Sequence, residues 1–115
     1  MHELSIAQSI LSISEQSIPS GTTARVCEVA VRIGELSGIE LDSLEFAFSV
    51  IKKNTLLENA NLRVEIVEGE AFCRFCSHQF AFHQYGDSCP QCHSYEISVT
   101  GGRELKVTSL VMQEA

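Results

Sequence analysis

The stretch Cys73-Arg74-Phe75-Cys76 and the stretch Cys89-Pro90-Gln91-Cys92 are two Cys-x-x-Cys pairs with twelve residues between them. Each pair can present two sulfurs to one side of a cation. The intervening segment is long enough for a hairpin that brings the second pair to the opposite side. Four thiolates arranged as a tetrahedron are the ligand set that zinc prefers in a closed structural site. The spacing therefore predicts a four-cysteine zinc site formed by Cys73, Cys76, Cys89 and Cys92.

Three other uses of these cysteines compete with structural zinc. Neither pair is placed at a strand-to-helix transition, as a thioredoxin-like redox pair would be. Structural disulfides are disfavoured because the chain has no recognisable secretory signal, and thiols stay reduced in the cytoplasm. Iron in a rubredoxin-like site uses the same four ligands, so the spacing leaves iron open.

The cysteine segment is too short to bury a core of its own. Chains below about 40 residues usually need a metal, disulfides or a partner to fold. Structural zinc in finger peptides supplies roughly 10–16 kcal/mol at neutral pH, which can replace the missing core. We therefore expect a zinc-ribbon domain at residues 70–102 and a separate α/β domain at residues 1–69 and 103–115. Gly69 and Gly101-Gly102 bracket the ribbon and are expected to let it swing.

Composition excludes several classes of function. The 115 residues are 44% hydrophobic, as in ordinary globular chains, and carry a net charge of −7. Nucleic-acid binding is disfavoured, because it requires a clustered basic surface. No stretch approaches the roughly 20 apolar residues of a membrane span. The acidic start of the chain is unlike a signal peptide, so we expect a cytoplasmic protein.

Two helices are expected in the first half of the chain. Ser5 and Gln8 match a capping box, which predicts that Ser5 caps the first helix. Asp42 and Glu45 form a second capping pair, which predicts the start of the second helix. Apolar residues at helical spacing follow each pair.

Three strands are expected, at residues 27–33, 62–68 and 103–112, because apolar and polar residues alternate there. The pattern predicts an α+β fold with two helices on a small three-stranded, mostly antiparallel sheet and an inserted zinc-ribbon module. Cys27 is expected to be a buried small hydrophobic residue of the first strand.

The histidines fall into two groups. His78 and His93 lie next to the cysteine pairs and are expected to be exposed turn residues with no role; the alternative is that an imidazole there exchanges for a sulfur or donates a hydrogen bond to one. His83 lies between the pairs and is expected to be an ordinary hairpin residue. His2 lies beside the amino terminus. The α-amine of Met1, the backbone nitrogen and imidazole of His2 and the amide of Glu3 can form a four-nitrogen plane, which suits Ni(II) or Cu(II).

The chain resembles the HypA/HybF family of hydrogenase and urease nickel-maturation proteins. The resemblance rests on Met1-His2-Glu3-Leu4-Ser5, on the paired cysteines, and on three further stretches that follow in the family's order. These are Ile33-Gly34-Glu35-Leu36-Ser37-Gly38-Ile39, Leu44-Glu45-Phe46-Ala47-Phe48 and Gly102-Arg103-Glu104-Leu105. The resemblance covers essentially the whole chain.

The resemblance implies a nickel metallochaperone and not an enzyme. Members deliver Ni(II) to the [NiFe]-hydrogenase large subunit precursor with a HypB-type GTPase as partner, urease is a further target, and a homodimer is allowed. Nickel is expected on Met1, His2 and Glu3, with Glu40 as a minor additional contact, and structural zinc on the four cysteines. The competing hypothesis is a zinc-ribbon interaction module with no nickel role.

Overall fold

A computed structural model describes residues 2–22 and 24–113. The helices are α1 (Glu3–Gln16) and α2 (Leu41–Ile51), and the strands are β1 (Arg25–Gly34), β2 (Asn61–Val67), β3 (Glu70–Cys73), β4 (Gln79–Ala81), β5 (Ile97–Gly101) and β6 (Leu105–Gln113). The strands form two three-stranded sheets, in the orders β2-β1-β6 and β4-β3-β5. The expected α+β class, with two helices and a separate small sheet that carries the cysteines, is confirmed. Both described helices are too short to cross a bilayer.

The chain forms two compact units. The first consists of Met1–Val31, Ile39–Glu65 and Lys106–Ala115, and the second of Arg32–Gly38 and Ile66–Leu105. The second unit therefore contains the expected ribbon segment, the residues that flank it (66–69 and 103–105) and, as a separate addition, residues 32–38. Leu36 explains that addition, because its buried side chain belongs to the core cluster of the second unit.

The contacts between β1 and β6 run in opposite directions along the two strands. The Thr108 hydroxyl donates to the Ala30 carbonyl at 3.2 Å, and the Cys27 thiol donates to the Val111 carbonyl at 3.3 Å. An earlier residue of β1 thus pairs with a later residue of β6. This pairing is antiparallel, as expected.

The contacts between β1 and β2 run in the same direction. Glu28 is 3.2 Å from Arg63, and further along both strands the Glu35 N–H donates to the Val67 carbonyl at 2.9 Å. The two strands are therefore parallel, and α2 is the crossover that joins them. The first sheet is mixed, with one pairing in the expected antiparallel sense and one parallel.

The N-cap of helix α1 lies three residues before the predicted one. His2 is its N-cap residue, and the Ile6 N–H donates to the His2 carbonyl at 3.0 Å. A carboxylate oxygen of Glu3 accepts the Glu40 N–H at 3.1 Å. The prediction that Ser5 caps this helix is wrong, because the tertiary bond of Glu3 and the preference for an acidic side chain in the first turn extend the helix to Glu3.

Helix α2 is capped by Glu40. Its carboxylate accepts the N–H groups of Asp42 and Ser43 at 3.1–3.4 Å. These are among the N–H groups that have no acceptor within a helix, so the bonds stabilise the start of α2. The predicted cap at Asp42 is wrong by two residues, because the Glu40 side chain accepts the Asp42 and Ser43 N–H groups and the helix starts earlier.

Apolar residues of both helices, of β1 and of the segment between α2 and β2 are buried in the first unit. They include Ala7, Ile10, Val26, Val29, Ala30, Val31, Leu44, Ala47, Phe48, Leu57 and Ala60. Ser14 is also fully buried, and its hydroxyl donates to the Ile10 carbonyl at 2.7 Å. This bond satisfies the hydroxyl, so the buried polar group costs little.

The glycines that bracket the ribbon are closely packed. A Cβ on Gly69 would overlap the Phe82 carbonyl oxygen, and one on Gly102 would lie 2.5 Å from the Gly69 Cα. Gly102 also has a φ of +103°, which favours glycine. Gly69 and Gly102 are therefore explained by close backbone packing within the second unit, and the expectation that they let the ribbon swing has no support in this packing.

Candidate metal centre

The first cysteine pair forms a tight turn at the end of β3. The Ser77 N–H donates to the Cys73 carbonyl at 2.8 Å, and the Cys73 N–H donates to the His78 carbonyl at 2.8 Å. The Cys76 N–H approaches the Cys73 Sγ at 3.5 Å. The turn therefore directs both sulfurs of the pair to the same side and gives one of them a backbone donor.

The second pair repeats this geometry. The His93 N–H donates to the Cys89 carbonyl at 2.8 Å, and the Cys89 N–H donates to the Ser94 carbonyl at 2.9 Å. The Gln91 N–H lies 3.4 Å from the Cys89 Sγ. The two halves of the site are thus two turns of the same type, with backbone–backbone hydrogen bonds at matching positions.

The four sulfurs converge. The Cys73 and Cys92 sulfurs are 3.6 Å apart, as are those of Cys76 and Cys89, and all four lie within 4.8 Å of one another. Zinc–sulfur bonds of about 2.3 Å in a tetrahedron separate the sulfurs by about 3.8 Å. The cluster therefore has the size and the donor set for a tetrahedral ion such as zinc, and the four cysteines predicted to come together do so.

The thiols differ in acidity. For Cys89, burial tends to raise the pKa, but the backbone N–H groups of Cys92 and Gln91 outweigh it and bring the pKa down to about 7. The Cys76 N–H lowers the pKa of Cys73 against the effect of burial. Burial raises the pKa of Cys76 to about 12. A dication among the sulfurs would favour the thiolate form of all four.

The second sheet positions the first turn. Strand β3 pairs antiparallel with both β4 and β5, and Cys73 lies opposite Ile97. The Arg74 N–H donates to the Glu96 carbonyl at 2.8 Å, and the Arg74 and Glu96 side chains pair at 3.2 Å. The turn that carries Cys73 and Cys76 is thereby attached to the segment before β5.

The two histidines beside the cysteine pairs are in different environments. The His78 ring stacks on Phe80, with ring centroids 5.8 Å apart and the planes 14° from parallel. His93 is exposed and has a φ of +64°. The corresponding residue of the first turn, Ser77, has a φ of +67°. His93 thus occupies a left-handed position of the turn, where histidine is tolerated better than most residues.

These left-handed positions make a testable prediction about stability. Ser77→Gly should raise the free energy of unfolding by about 0.5–1 kcal/mol, because glycine relieves the left-handed strain at a partly offsetting entropic cost. His93→Gly should give a smaller gain. Denaturant unfolding of the zinc-saturated proteins measures both effects. Ser98→Gly, in the extended strand β5, is the control and should destabilise the protein. A loss of stability in Ser77→Gly would contradict the left-handed conformation of Ser77.

The residues expected to bind nickel are only partly described. Met1 lies outside the described residues. His2 is exposed and caps α1, and Glu3 is the first residue of that helix. The Glu40 N–H donates to the Glu3 carboxylate and lowers its pKa. The carboxylate of Glu40, the expected minor contact, caps α2.

An ion pair that the sequence did not indicate lies within the second unit. His83 Nδ1 is 2.7 Å from Glu35 Oε1. His83 was expected to be an ordinary hairpin residue. The two residues are 48 positions apart, and this separation gives no indication of a contact. Only the folding of segment 32–38 into the second unit brings them together.

Comparisons with known proteins agree with the resemblance seen in the sequence. Residues 1–112 match the family model described as hydrogenase/urease nickel incorporation, metallochaperone, hypA. The hydrogenase maturation factor HypA of Alkalilimnicola ehrlichii is 39% identical over 110 residues, which are 96% of this chain and 97% of the relative. The hydrogenase maturation factor HypA of Geobacter metallireducens is 41% identical over 113 residues, which are 98% of this chain and all of the relative.

Solved structures give the same result. The solution structure of the Ni metallochaperone HypA from Helicobacter pylori matches with a TM-score of 0.69 and 28% identity, over the full length of both chains. A second solution structure of a HypA protein matches with a TM-score of 0.70 and 29% identity, over all of this chain and 98% of the other. Sequence, fold and cysteine cluster therefore agree, and the chain belongs to the HypA family of nickel metallochaperones, which act in hydrogenase maturation.

Proposed function

We propose that this chain carries Ni(II) to the precursor of the [NiFe]-hydrogenase large subunit, with urease as a further target. The observation that carries the proposal is the match of residues 1–112 to the nickel-incorporation family. A HypB-type GTPase is the proposed partner in delivery, the cytoplasm is the proposed compartment, and a homodimer is compatible with the role. Catalysis by the chain itself forms no part of the proposal.

Nickel is proposed to bind at the amino terminus, through the amine of Met1, the amide and imidazole of His2, and the amide of Glu3. The exposure of His2 supports this, because an imidazole at the surface can swing onto an ion and off it again. The first N–H groups of a helix take no part in its ladder of hydrogen bonds, so coordination by the Glu3 nitrogen would break no helical bond. The Glu3 carboxylate adds negative charge beside the positive end of the helix dipole.

Zinc is proposed to be bound by Cys73, Cys76, Cys89 and Cys92 in a structural role. When bound, zinc cross-links the two turns and stabilises a small sheet that has few buried apolar residues. The nickel-binding domain is proposed to comprise residues 1–69 and 103–115, and the zinc-ribbon domain residues 70–102. In this division, cargo binding and structural zinc are separate functions of separate segments.

Transfer of nickel in a purified system tests the proposal. The untagged protein is loaded with radioactive Ni(II) and mixed with nickel-free large subunit precursor, a HypB-type GTPase and GTP. We expect nickel to appear on the precursor, and His2→Ala to abolish this transfer. Cys27→Ser, which lies outside both proposed sites, should transfer normally. Equal transfer by wild type and His2→Ala would favour the competing hypothesis of an interaction module without a nickel role.

A further inference from the structure

Glu35 holds two parts of the second unit together. One of its carboxylate oxygens, Oε1, accepts the Gly69 N–H at 2.7 Å and lies 2.7 Å from His83 Nδ1. Gly69 directly precedes β3, and His83 follows β4. A single side chain from segment 32–38 therefore connects to the residue before β3 and to a residue after β4, at the open end of the β3–β4 hairpin.

Segment 32–38 is also attached to the rest of the second unit by a backbone hydrogen bond and by the buried side chain of Leu36. The Leu36 N–H donates to the Gly102 carbonyl at 2.7 Å. The Leu36 side chain packs with Ala71 and Phe82 in the core of the second unit. Release of Glu35 would thus loosen a segment that contributes to this core.

Three carboxylates, those of Glu35, Glu68 and Asp87, attract the protonated His83 imidazole. His83 Nε2 lies 4.0 Å from Glu68 Oε2, and Asp87 adds a weaker attraction from the following loop. The His83 side chain is 56% exposed. In the sequence, Cys89 is the nearest of the four clustered cysteines to His83. A protonated imidazole can donate from both nitrogens, and here each nitrogen faces a carboxylate.

We propose that Glu35, His83 and Glu68 form a pH-sensitive clasp that fastens segment 32–38 to the β3–β4 hairpin. The clasp is closed most firmly when His83 is protonated and Glu35 is ionised. None of its three residues is a proposed metal ligand, and it gives the zinc-loaded protein a local element whose stability changes near neutral pH.

The direction of the pH effect follows from the shifts of the two groups. Glu35 raises the pKa of His83 above its ordinary value of 6.5, so the stabilisation is complete below that value and is lost as the pH rises through the raised pKa. The Gly69 N–H and then His83 lower the pKa of Glu35 below its ordinary value of 4.5. Stabilisation by Glu35 is therefore lost only as the pH falls through that lowered pKa. The clasp is strongest between the two.

Opening at high pH should be partial. A neutral imidazole can still donate from Nδ1 to Glu35, and the Gly69 N–H bond remains. What is lost is the positive charge of the imidazole. The bond to Glu35 is weakened because a hydrogen bond between two charged groups is roughly twice as strong as a neutral one.

Hydrogen exchange of the zinc-loaded protein, followed by NMR at the amides of Gly69 and Leu36, tests the clasp. Between about pH 6 and pH 8.5 we expect the protection of both amides, corrected for the intrinsic exchange rate, to fall several-fold. His83→Gln and Glu35→Gln should remove this pH dependence, and Glu68→Gln should reduce it. Glu45→Gln, which removes an exposed carboxylate of α2, is the control and should behave as wild type.

Titration of the His83 imidazole by NMR provides the second measurement. Its pKa should lie above 6.5 in wild type and fall in Glu35→Gln. Wild-type protection that is constant across the pH range, or a His83 pKa that is the same in wild type and Glu35→Gln, would overturn the proposal.

Discussion

Replacing Cys89 by serine should remove zinc from the protein and unfold the second unit. Cys89 is fully buried, and its sulfur is 3.6 Å from that of Cys76. A serine hydroxyl is a poor ligand for zinc in a thiolate site, and three remaining sulfurs cannot close the tetrahedron. Because binding of structural zinc is itself folding free energy for a small module, loss of the ion should be accompanied by loss of order.

Elemental analysis and amide NMR measure the two parts of this prediction. We expect less than about one tenth of the wild-type zinc content after dialysis, and loss of dispersed amide signals from residues 66–105. The matched control is Cys27→Ser, which changes the one cysteine outside the cluster and should keep both zinc and signals. A Cys89→Ser protein that retains one zinc ion and a folded second unit would contradict the structural role.

The cysteine cluster could be predicted from sequence because its signal is local. Two residues between the cysteines of each pair define a turn, and the turn directs both sulfurs. The left-handed conformations of Ser77 and His93 are part of that same turn, but neither residue type identifies a left-handed position as glycine would.

The start of α1 was mispredicted because a residue distant in the sequence helps to set it, and the start of α2 because the glutamate just before the helix acts as its cap. Ser5 with Gln8 and Asp42 with Glu45 are valid local capping patterns. Glu3, however, bonds to the Glu40 backbone, 37 residues away, and the Glu40 carboxylate reaches the first amides of α2. Glu35 and His83 are 48 residues apart and likewise meet only in the folded chain. Periodicity and spacing contain no information about such pairs.

The parallel pairing of β1 with β2 was missed for a related reason. Alternation identifies which residues are in a strand but not the direction of its neighbour. The evidence for direction is that Glu28 lies beside Arg63, while Glu35 further along β1 bonds to Val67. A helix between two strands is the usual connection of a parallel pair, so the order strand, α2, strand would have been the better guide.

Substitution of His2 by alanine should abolish tight nickel binding and leave zinc in place. The imidazole is one of the four proposed nitrogen ligands, and water would have to replace it. Removal of outer-shell partners of metal sites already costs about 10–100-fold in affinity, so loss of a ligand should cost more than about 100-fold. Helix α1 should persist, since the His2 side chain makes no capping hydrogen bond.

A second histidine variant tests whether the loss of nickel affinity is specific to His2. His93→Ala removes another exposed imidazole, near the cysteines, and should leave nickel affinity within about twofold of wild type if the proposed planar site needs only the chain end. Circular dichroism would confirm that both variants keep their helices. Equal nickel affinity in His2→Ala and wild type would remove His2 from the site.

Calorimetric titration with Ni(II) of the untagged protein, against a variant with one glycine added before Met1, tests the terminal chelate most directly. The added residue keeps every side chain but moves the free amine away from His2, whereas a glycine added after Ala115 changes the mass equally and serves as control. The proposed site requires that tight binding is lost in the first variant and kept in the second. Undiminished tight binding by the protein extended before Met1 would show that nickel is held elsewhere.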